Sequence, residues 1–374
     1  MIYFNGETKK VHYNGFDISK IYACDGNLVW SGETPPTPPT PTGYTNQYLT
    51  FRIVSGTSNH FSFTNNVDYS LDSGQTWVNL PANSQTQDLN INDVIMWRGN
   101  LSALTPSLSS FPYGIGYFSA EDSKIIVEGN IMSLLYGDDF ANKTNMKDGQ
   151  FMHIFYNIGV GILSAENLVL PSTTLTRSCY SHMFLNCSSL TTAPQLPATT
   201  LASGCYDGMF QVCSSLQMAP ELLATNLADG CYANMFNNCR SITIAPTLSA
   251  TTLASHCYLG MFSYCTSLQT APELPATTLA DYCYGGMFSY CTSLQTAPEL
   301  QATTLVEGCY DDMFFGCRNL NSITCLATDI SPYFCTYEWV DGVSASGTFT
   351  KAASMNDWTI GDSGIPSGWT VVDV

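Results

Sequence analysis

The stretch CYSHMFLNCSSLTTAPQLPATTLASGCYDGMFQVC, residues 179–213, contains one complete repeating unit and the beginning of the next. Its opening phrase returns every 26 residues without an insertion. The six copies begin at Cys179, Cys205, Cys231, Cys257, Cys283 and Cys309. Self-similarity at a fixed period of about 20–50 residues is the signature of a repeat array. The sequence therefore predicts six stacked coils whose identical apolar residues form a common interior.

Cysteines occupy two columns of this repeat, spaced alternately eight and eighteen residues apart. The second column contains Cys187, Cys213, Cys239, Cys265, Cys291 and Cys317. Zinc sites use closer pairs with histidine help, and none of the five histidines lies in a shared repeat column. We predict buried thiols that act as small apolar core residues. Disulfides within or between coils remain an alternative, and neither a metal site nor a cofactor is expected.

Both ends of the array are atypical, as the ends of a stacked repeat must be. In DGQFMHIFYNI, residues 148–158, Gln150 and Ile158 stand where the repeat has its two cysteines. We predict a solenoid at residues 131–325 that includes this N-terminal cap. A tryptophan-rich C-terminal cap is predicted at residues 326–374.

The N-terminal half has a different pattern of short alternating apolar and polar runs separated by turn residues. Residues 1–31 predict a small β module with hairpin turns at Asn14-Gly15 and Asp25-Gly26. Residues 32–43, GETPPTPPTPTG, predict an extended spacer. Residues 44–130 predict a β-sandwich-like domain. The whole chain is thus expected to be mainly β with short helical turns.

Charge excludes one class of function. The chain has 374 residues, a formal net charge of −18 and a pI near 4.3, so it offers little to neutralise a row of phosphates. The N-terminus lacks the apolar core of a secretory signal, and no stretch reaches the ~18 apolar residues of a membrane span. We expect no nucleic-acid partner, no membrane insertion and folding in the cytoplasm.

Catalytic motifs are weak. Residues 70–77, SLDSGQTW, match the Asp-box of sialidases and other β-propellers, but only one copy is present, and a structural hairpin is the favoured interpretation. No nucleophile elbow, zinc-protease helix or phosphate loop occurs, so no catalytic residue is predicted. The pairs Asp138-Asp139 and Asp311-Asp312 are interpreted as solvated surface acids, with calcium as the minor alternative.

Variation between otherwise constant repeats indicates the solvent-facing positions. Aromatic residues at such positions are Tyr264, Tyr290 and Phe315, which would form a stripe suited to sugars or protein surfaces. The other candidate binding residues on this face are His182, Asn238 and Asp311. Neutral drift on an exposed face is the competing interpretation.

The phrase MFxxCTSLxTAPELPATTLA resembles the BspA-type leucine-rich repeats of gut and oral Bacteroidetes. The present unit is longer and places Cys-Tyr before Met-Phe. Residues 9–30, KKVHYNGFDISKIYACDGNLVW, resemble the attachment modules of phage tail and fibre proteins. The ending from GTFTK to IPSGWTV is similar to that of Bacteroides phage and prophage proteins carrying such repeats.

These resemblances imply a non-enzymatic phage virion protein, tail-associated or fibre-like, that attaches to the bacterial host. The expected partners are other virion proteins through residues 1–31 and a host surface glycan or protein; a homo-oligomer is left open. The alternatives are a bacterial cell-surface adhesin with the same repeats and a glycan-degrading tail enzyme.

Overall fold

In the computed structural model, the described residues are 11–13, 16–18, 20–22, 28–31, 43–110, 113–156, 158 and 161–374. They belong to two compact units, Met1–Thr42 and Gly43–Val374. The chain is mainly β, and its α-helix is the single turn α1, Ser133–Tyr136, within the described ranges. A 3₁₀ turn follows at Gly137–Asp139. The prediction of a mainly β chain with short helical turns is confirmed.

The first unit contains two antiparallel strand pairs. Strand β1 (Val11–Tyr13) pairs with β2 (Phe16–Ile18), and β3 (Lys20–Tyr22) pairs with β4 (Leu28–Ser31). The predicted turns at residues 14–15 and 25–26 lie outside the described residues, as do residues 32–42 of the predicted spacer.

The second unit begins with strands whose alternating residues are buried. They are β5 (Leu49–Ser55), β6 (Phe61–Phe63), β7 (Val67–Ser70), β8 (Val78–Leu80), β9 (Val94–Arg98), β10 (Phe118–Ala120) and β11 (Lys124–Asn130). The larger sheet has the order β12-β11-β5-β9-β7-β8, in which β12 is the later strand Ile162–Ser164, and β6 and β10 form a second, antiparallel pair. The ring of Phe118 lies 4.9 Å from those of Phe51 and Trp97, so the two sheets share an aromatic core.

The larger sheet continues into the region that precedes the repeats. Strand β11 pairs in parallel with β12 (Ile162–Ser164) and with β13 (Leu168–Val169). The predicted division after residue 130 therefore lies inside the compact unit Gly43–Val374. The reason is that the last strand of the sheet is also hydrogen-bonded to the first strands of the following segment.

Each repeat phrase from first to second cysteine is a run of tight turns. Every second amide donates to the next repeat; those of Tyr180 and Phe184 bond the carbonyls of Cys205 and Met209 at 3.0 and 2.9 Å. The amides between them bond three residues back within their own turn. Alternation of local and inter-repeat hydrogen bonds satisfies the backbone without a long strand or helix.

Identical side chains lie on one another along the array. The rings of Tyr206, Tyr232 and Tyr258 stack at centroid distances of 5.8 and 5.9 Å, within 6° of parallel. Phenylalanine rings form a second buried stack at Phe184, Phe210, Phe236, Phe262, Phe288 and Phe314. On another side, Thr252 bridges in parallel to residues 226 and 278, one repeat away in each direction. The common interior expected from the sequence is therefore present.

The stack is closed by different residues at its two ends. Phe155 stacks on Phe184 at 5.2 Å, and Gln150 and Ile158 are buried in the cysteine positions. At the other end, the ring of Trp339 lies 6.1 Å from Tyr310 and 5.6 Å from Trp358. The three parallel strands β14 (Ser322–Cys325), β15 (Thr348–Lys351) and β16 (Thr370–Asp373) follow in that order.

Candidate binding surface

Every fourth residue of the tight turns has a left-handed backbone. In the fourth repeat these residues are His256, Gly260 and Tyr264, with φ of 57°, 59° and 61°. A non-glycine residue costs about 1–2 kcal/mol in this conformation, which explains the glycines and asparagines in these columns. The variable positions singled out in the sequence are largely these left-handed positions: His182, Asn238, Tyr264 and Tyr290 occupy them. Asp311 and Phe315 each precede such a residue.

Three of the predicted residues form a continuous surface, which we call the aromatic row: Tyr264, Tyr290 and Phe315. The rings of Tyr264 and Tyr290 stack at 4.5 Å and 14°. Phe315 meets Tyr290 edge-on at 5.3 Å and 64°. Tyr264 is 43% exposed and the other two are half-buried. The row thus presents aromatic surface to solvent across three successive repeats.

Glycines in the following repeat make room for these side chains. A Cβ on Gly316 would lie 2.7 Å from Cδ1 of Tyr290. A Cβ on Gly208 would lie 2.6 Å from Nε2 of His182, and one on Gly308 would overlap the ring of Tyr282. Where the next repeat has a glycine at the same position, the left-handed side chain therefore lies over that glycine without a steric clash.

The structure separates His182 from the aromatic row. His182 lies at the other end of the array, where its ring stacks on His153 at 4.9 Å and 6°. Burial, followed by the charge of His182, lowers the pKa of His153 to about 4. Asn238 shares the column of Tyr264, one repeat earlier, and its Oδ1 accepts a bond from Arg240 at 2.7 Å. Of His182 and Asn238, Asn238 is the one that lies beside the row.

A second aromatic group was missed from the sequence. Tyr333, Phe334 and Tyr337 surround Cys335, which continues the first cysteine column 26 residues after Cys309. Phe334 lies 3.9 Å from Tyr333 and 4.9 Å from Tyr337, and Tyr333 is 66% exposed. Continuing the 26-residue spacing past Cys317 would have predicted this group from the sequence. In the structure the amide of Tyr310 donates to the carbonyl of Cys335, as the corresponding amides of earlier repeats do.

Carboxylates lie beside this second aromatic group. Asp311 is partly buried, and burial, Asp312 and Glu338 raise its pKa to about 6. Burial followed by Glu338 also raises the pKa of Asp312. Among the described residues, no lysine or arginine forms an ion pair with these three carboxylates. The prediction of well-solvated acids is corrected for Asp311 and Asp312, because each is about half-buried beside a like charge.

We expect Asp311→Asn to stabilise the protein at pH 7 and to lose about half of that advantage at pH 5. A carboxyl whose folded pKa lies above its usual value near 3.8 binds its proton more tightly when folded, so its contribution to stability falls as pH rises from about 4 to 6. His153 contributes the opposite pH dependence. Because its folded pKa is lowered, its contribution to stability falls as pH decreases below 6.5. Melting temperatures of variant and parent at both pH values isolate the contribution of Asp311.

The exposed Asp281→Asn exchange is the control for loss of one negative charge. It is expected to shift the melting temperature equally at both pH values. An Asp311→Asn gain that is the same at pH 5 and pH 7 would contradict the proposed repulsion.

The cysteines lie in the interior. Fourteen are described, and all are free and buried. The second column also has a polar role, since the thiols of Cys213 and Cys265 donate to the carbonyls of Phe184 and Phe236 at 3.2 and 3.1 Å. Burial raises the pKa of the Cys265 thiol to about 12, so it is neutral at physiological pH. These contacts explain why a small residue with a weak donor suits this column.

The Asp-box is an internally bonded hairpin. Asp72 accepts bonds from the amide and hydroxyl of Thr76 at 2.8 and 2.6 Å, and these bonds lower its pKa to about 2. The indole of Trp77 donates to the carbonyl of Gly74, which has φ of 84°. The side-chain hydrogen bonds of the motif are made within its own turn, which is consistent with the structural interpretation.

Within the described ranges, no three side chains of His, Cys, Asp or Glu are grouped as metal ligands. No described helix has the length and apolarity needed to cross a bilayer. No family model, curated protein or solved structure matches this chain.

Proposed function

We propose that the chain is a structural protein of a phage virion, tail-associated or fibre-like, that adheres to the host surface without catalysing a reaction. In this proposal residues 1–31 anchor the chain to other virion proteins and residues 32–43 are a spacer. Residues 131–325 are a solenoid of the leucine-rich-repeat class, closed by residues 326–374. The resemblance of the repeat phrase and of both chain ends to phage proteins supports this assignment.

The aromatic row is the observation that carries the adhesive role. Tyr264 and Tyr290 are held on backbone that bonds the next repeat, at 2.8 Å to Ser289 and 2.6 Å to Phe315. The rings are therefore oriented before a partner arrives, which reduces the entropy lost on binding. Exposed aromatic surface of this kind packs against the C–H groups of sugars and against apolar side chains. A host surface glycan or protein is the proposed partner.

Replacing the three residues of the row with alanine is expected to weaken binding of the full-length chain to host cells at least tenfold, about 1.4 kcal/mol. The probe is intact cells of the Bacteroides host that the resemblance indicates, and the readout is the bound fraction of fluorescently labelled protein. Aromatic residues at the centre of an interface account for much of its binding energy.

Met218→Ala with Ile244→Ala is the matched control, because both residues are exposed apolar side chains of the repeats outside the row, at 64% and 71%. This double variant should bind like the parent. Undiminished binding by the triple variant, with an unchanged melting temperature, would refute the role of the row.

The location and the absence of catalysis need separate tests. Mass spectrometry should find the chain in purified phage particles, whereas its recovery only from bacterial outer-membrane fractions would favour the adhesin. Host capsule incubated with the protein should yield no new reducing ends. Reducing ends that disappear with Asp311→Asn would instead identify a glycan-degrading enzyme, since a carboxyl with a raised pKa suits proton donation.

A further inference from the structure

A polar cleft of about 410 Å³ lies in the β region of the second unit, outside the repeats. Its walls come from β7, β8, the end of β9 and the turn at residues 136–139. Its polar lining includes Asp68, Asn79, Arg98, Asn100, Asp138 and Asp139. The volume is within the ~300–1,000 Å³ typical of small-molecule sites.

Arg98 is the fixed centre of this cleft. Its Nε donates to Asp68 at 3.2 Å, and its Nη1 donates to both oxygens of Asp138 at 2.6 and 2.8 Å. The guanidinium also lies over the ring of Trp77, 4.3 Å from the centroid. Bidentate and stacked contacts hold an arginine in one orientation. Three groups therefore position Arg98 before any ligand arrives.

The Asp-box supports this centre from behind. Its internal hydrogen bonds hold Trp77, whose ring meets Tyr48 at 4.8 Å. The Tyr48 hydroxyl donates to Asp138 at 2.8 Å. The hairpin, the tryptophan and the tyrosine thus connect to both ends of the Arg98–Asp138 pair. This gives the motif a local role: it orients the cleft.

Polar groups at the rim are left for a ligand. The side chains of Asn100 and Asp139 are exposed and make no hydrogen bond within the described part of the chain. Asn79 bonds Asp68 through its amide nitrogen at 3.1 Å, which leaves its oxygen as an acceptor. The rim therefore offers a ligand the Asn100 amide, which can donate and accept, together with two acceptors, the Asp139 carboxylate and the side-chain oxygen of Asn79.

Charge and polarity select the ligand class. Three carboxylates against one guanidinium disfavour a phosphate or a carboxylate ligand. Apart from glycines, Val67 and Tyr136 are the only lining residues without a carboxylate, amide or guanidinium group, which disfavours a purely hydrophobic ligand. A neutral saccharide has neighbouring hydroxyls that both donate and accept, and a C–H face that packs on an aromatic ring.

We propose that this cleft binds a neutral sugar unit, separately from the aromatic row and whether or not the chain is a virion protein. The ring hydroxyls bond Asn100, Asp139 and the oxygen of Asn79. The fixed pair of Arg98 and Asp138 forms the floor on which the sugar rests. Hydrogen bonds from Tyr48 and then from Arg98 lower the pKa of Asp138, so this carboxylate stays ionised beside the guanidinium.

The test is titration of the full-length protein with methyl glycosides of glucose, galactose, mannose and N-acetylglucosamine, up to about 10 mM, followed by saturation-transfer NMR and calorimetry. At least one glycoside should bind. Asn100→Ala with Asp139→Ala should weaken that binding at least tenfold without lowering the melting temperature, because neither side chain bonds the protein. Asn226→Ala with Asp281→Ala, at exposed positions of the repeats, is the matched control and should bind like the parent.

Each alternative has its own result. Binding of none of the four glycosides would overturn the proposal. Loss of binding with the triple variant of the aromatic row, but not with Asn100→Ala and Asp139→Ala, would move the sugar to the row and also overturn it. Binding of a protonated amine such as spermidine, abolished by Asp139→Ala in the absence of sugar binding, would assign the cleft to cations instead.

Discussion

Phe262→Ala is expected to lower the free energy of unfolding by about 3–5 kcal/mol, the range for removing a fully buried phenylalanine. Phe262 has no exposed surface, and its ring lies between those of Phe236 and Phe288 at 5.6 and 5.9 Å. The flanking rings cannot close the cavity, because each repeat is held by hydrogen bonds such as that from the Phe262 amide to Met287 at 2.9 Å. A cavity in the middle of the array also interrupts contact between its two halves.

Chemical denaturation followed by circular dichroism measures this loss. Tyr264→Ala, two residues along the same turn, is the control: its side chain is exposed, so its removal is expected to cost less than about 1 kcal/mol. Equal losses for the two variants would mean that the phenylalanine stack is not the main source of stability in the repeats.

Gly129→Ala is expected to destabilise the second unit by more than about 3 kcal/mol, from a left-handed backbone strain of about 1–2 kcal/mol and a steric clash. Gly129 has φ of 83°, and a Cβ there would overlap the carbonyl oxygen of Tyr48. That carbonyl cannot retreat easily, because Tyr48 bridges Asn130 and the amide of Asn130 bonds Gln47 at 2.8 Å. Gly129 lies at the point where β11, a strand of the larger sheet, pairs with β13.

Gly230→Ala separates the two contributions. Gly230 has φ of 59°, and a Cβ there would meet no atom within 4 Å, so only the strain remains. We expect its melting temperature to fall much less than that of Gly129→Ala. Comparable decreases would show that the junction at Gly129 tolerates the extra atom.

Much of the repeat region could be predicted because its information is local and periodic. The cysteine, tyrosine, methionine and phenylalanine columns appear as repeated letters, and a stack is the arrangement that buries all of them together. The replacement of the cysteines by Gln150 and Ile158 was visible for the same reason. Both residues are buried beside the first full repeat.

The candidate site was only partly visible. Spacing placed Tyr264, Tyr290 and Phe315 in neighbouring repeats, and their rings do meet. It also grouped His182 with them because His182 is a variable position, although His182 belongs to the first repeat, three repeats before Tyr264, and stacks on His153 there. Asp311 and Asp312 were interpreted as solvated from their local sequence. Their burial and the nearby charge of Glu338 come from the following turn, which the local sequence does not show.

The sequence by itself determined the period, the interior columns, the atypical ends and the mainly β character, because each follows from residues that recur at constant spacing or alternate along one strand. Tertiary structure alone decided the continuation of the sheet through β11 into β12 and β13, and the cleft around Arg98. Those features join residues 30 to 90 positions apart, such as Asp68 with Arg98 and Tyr48 with Asp138, whose proximity depends on strand order. Strand order is set by packing of the whole sheet, and no local pattern in the chain encodes it.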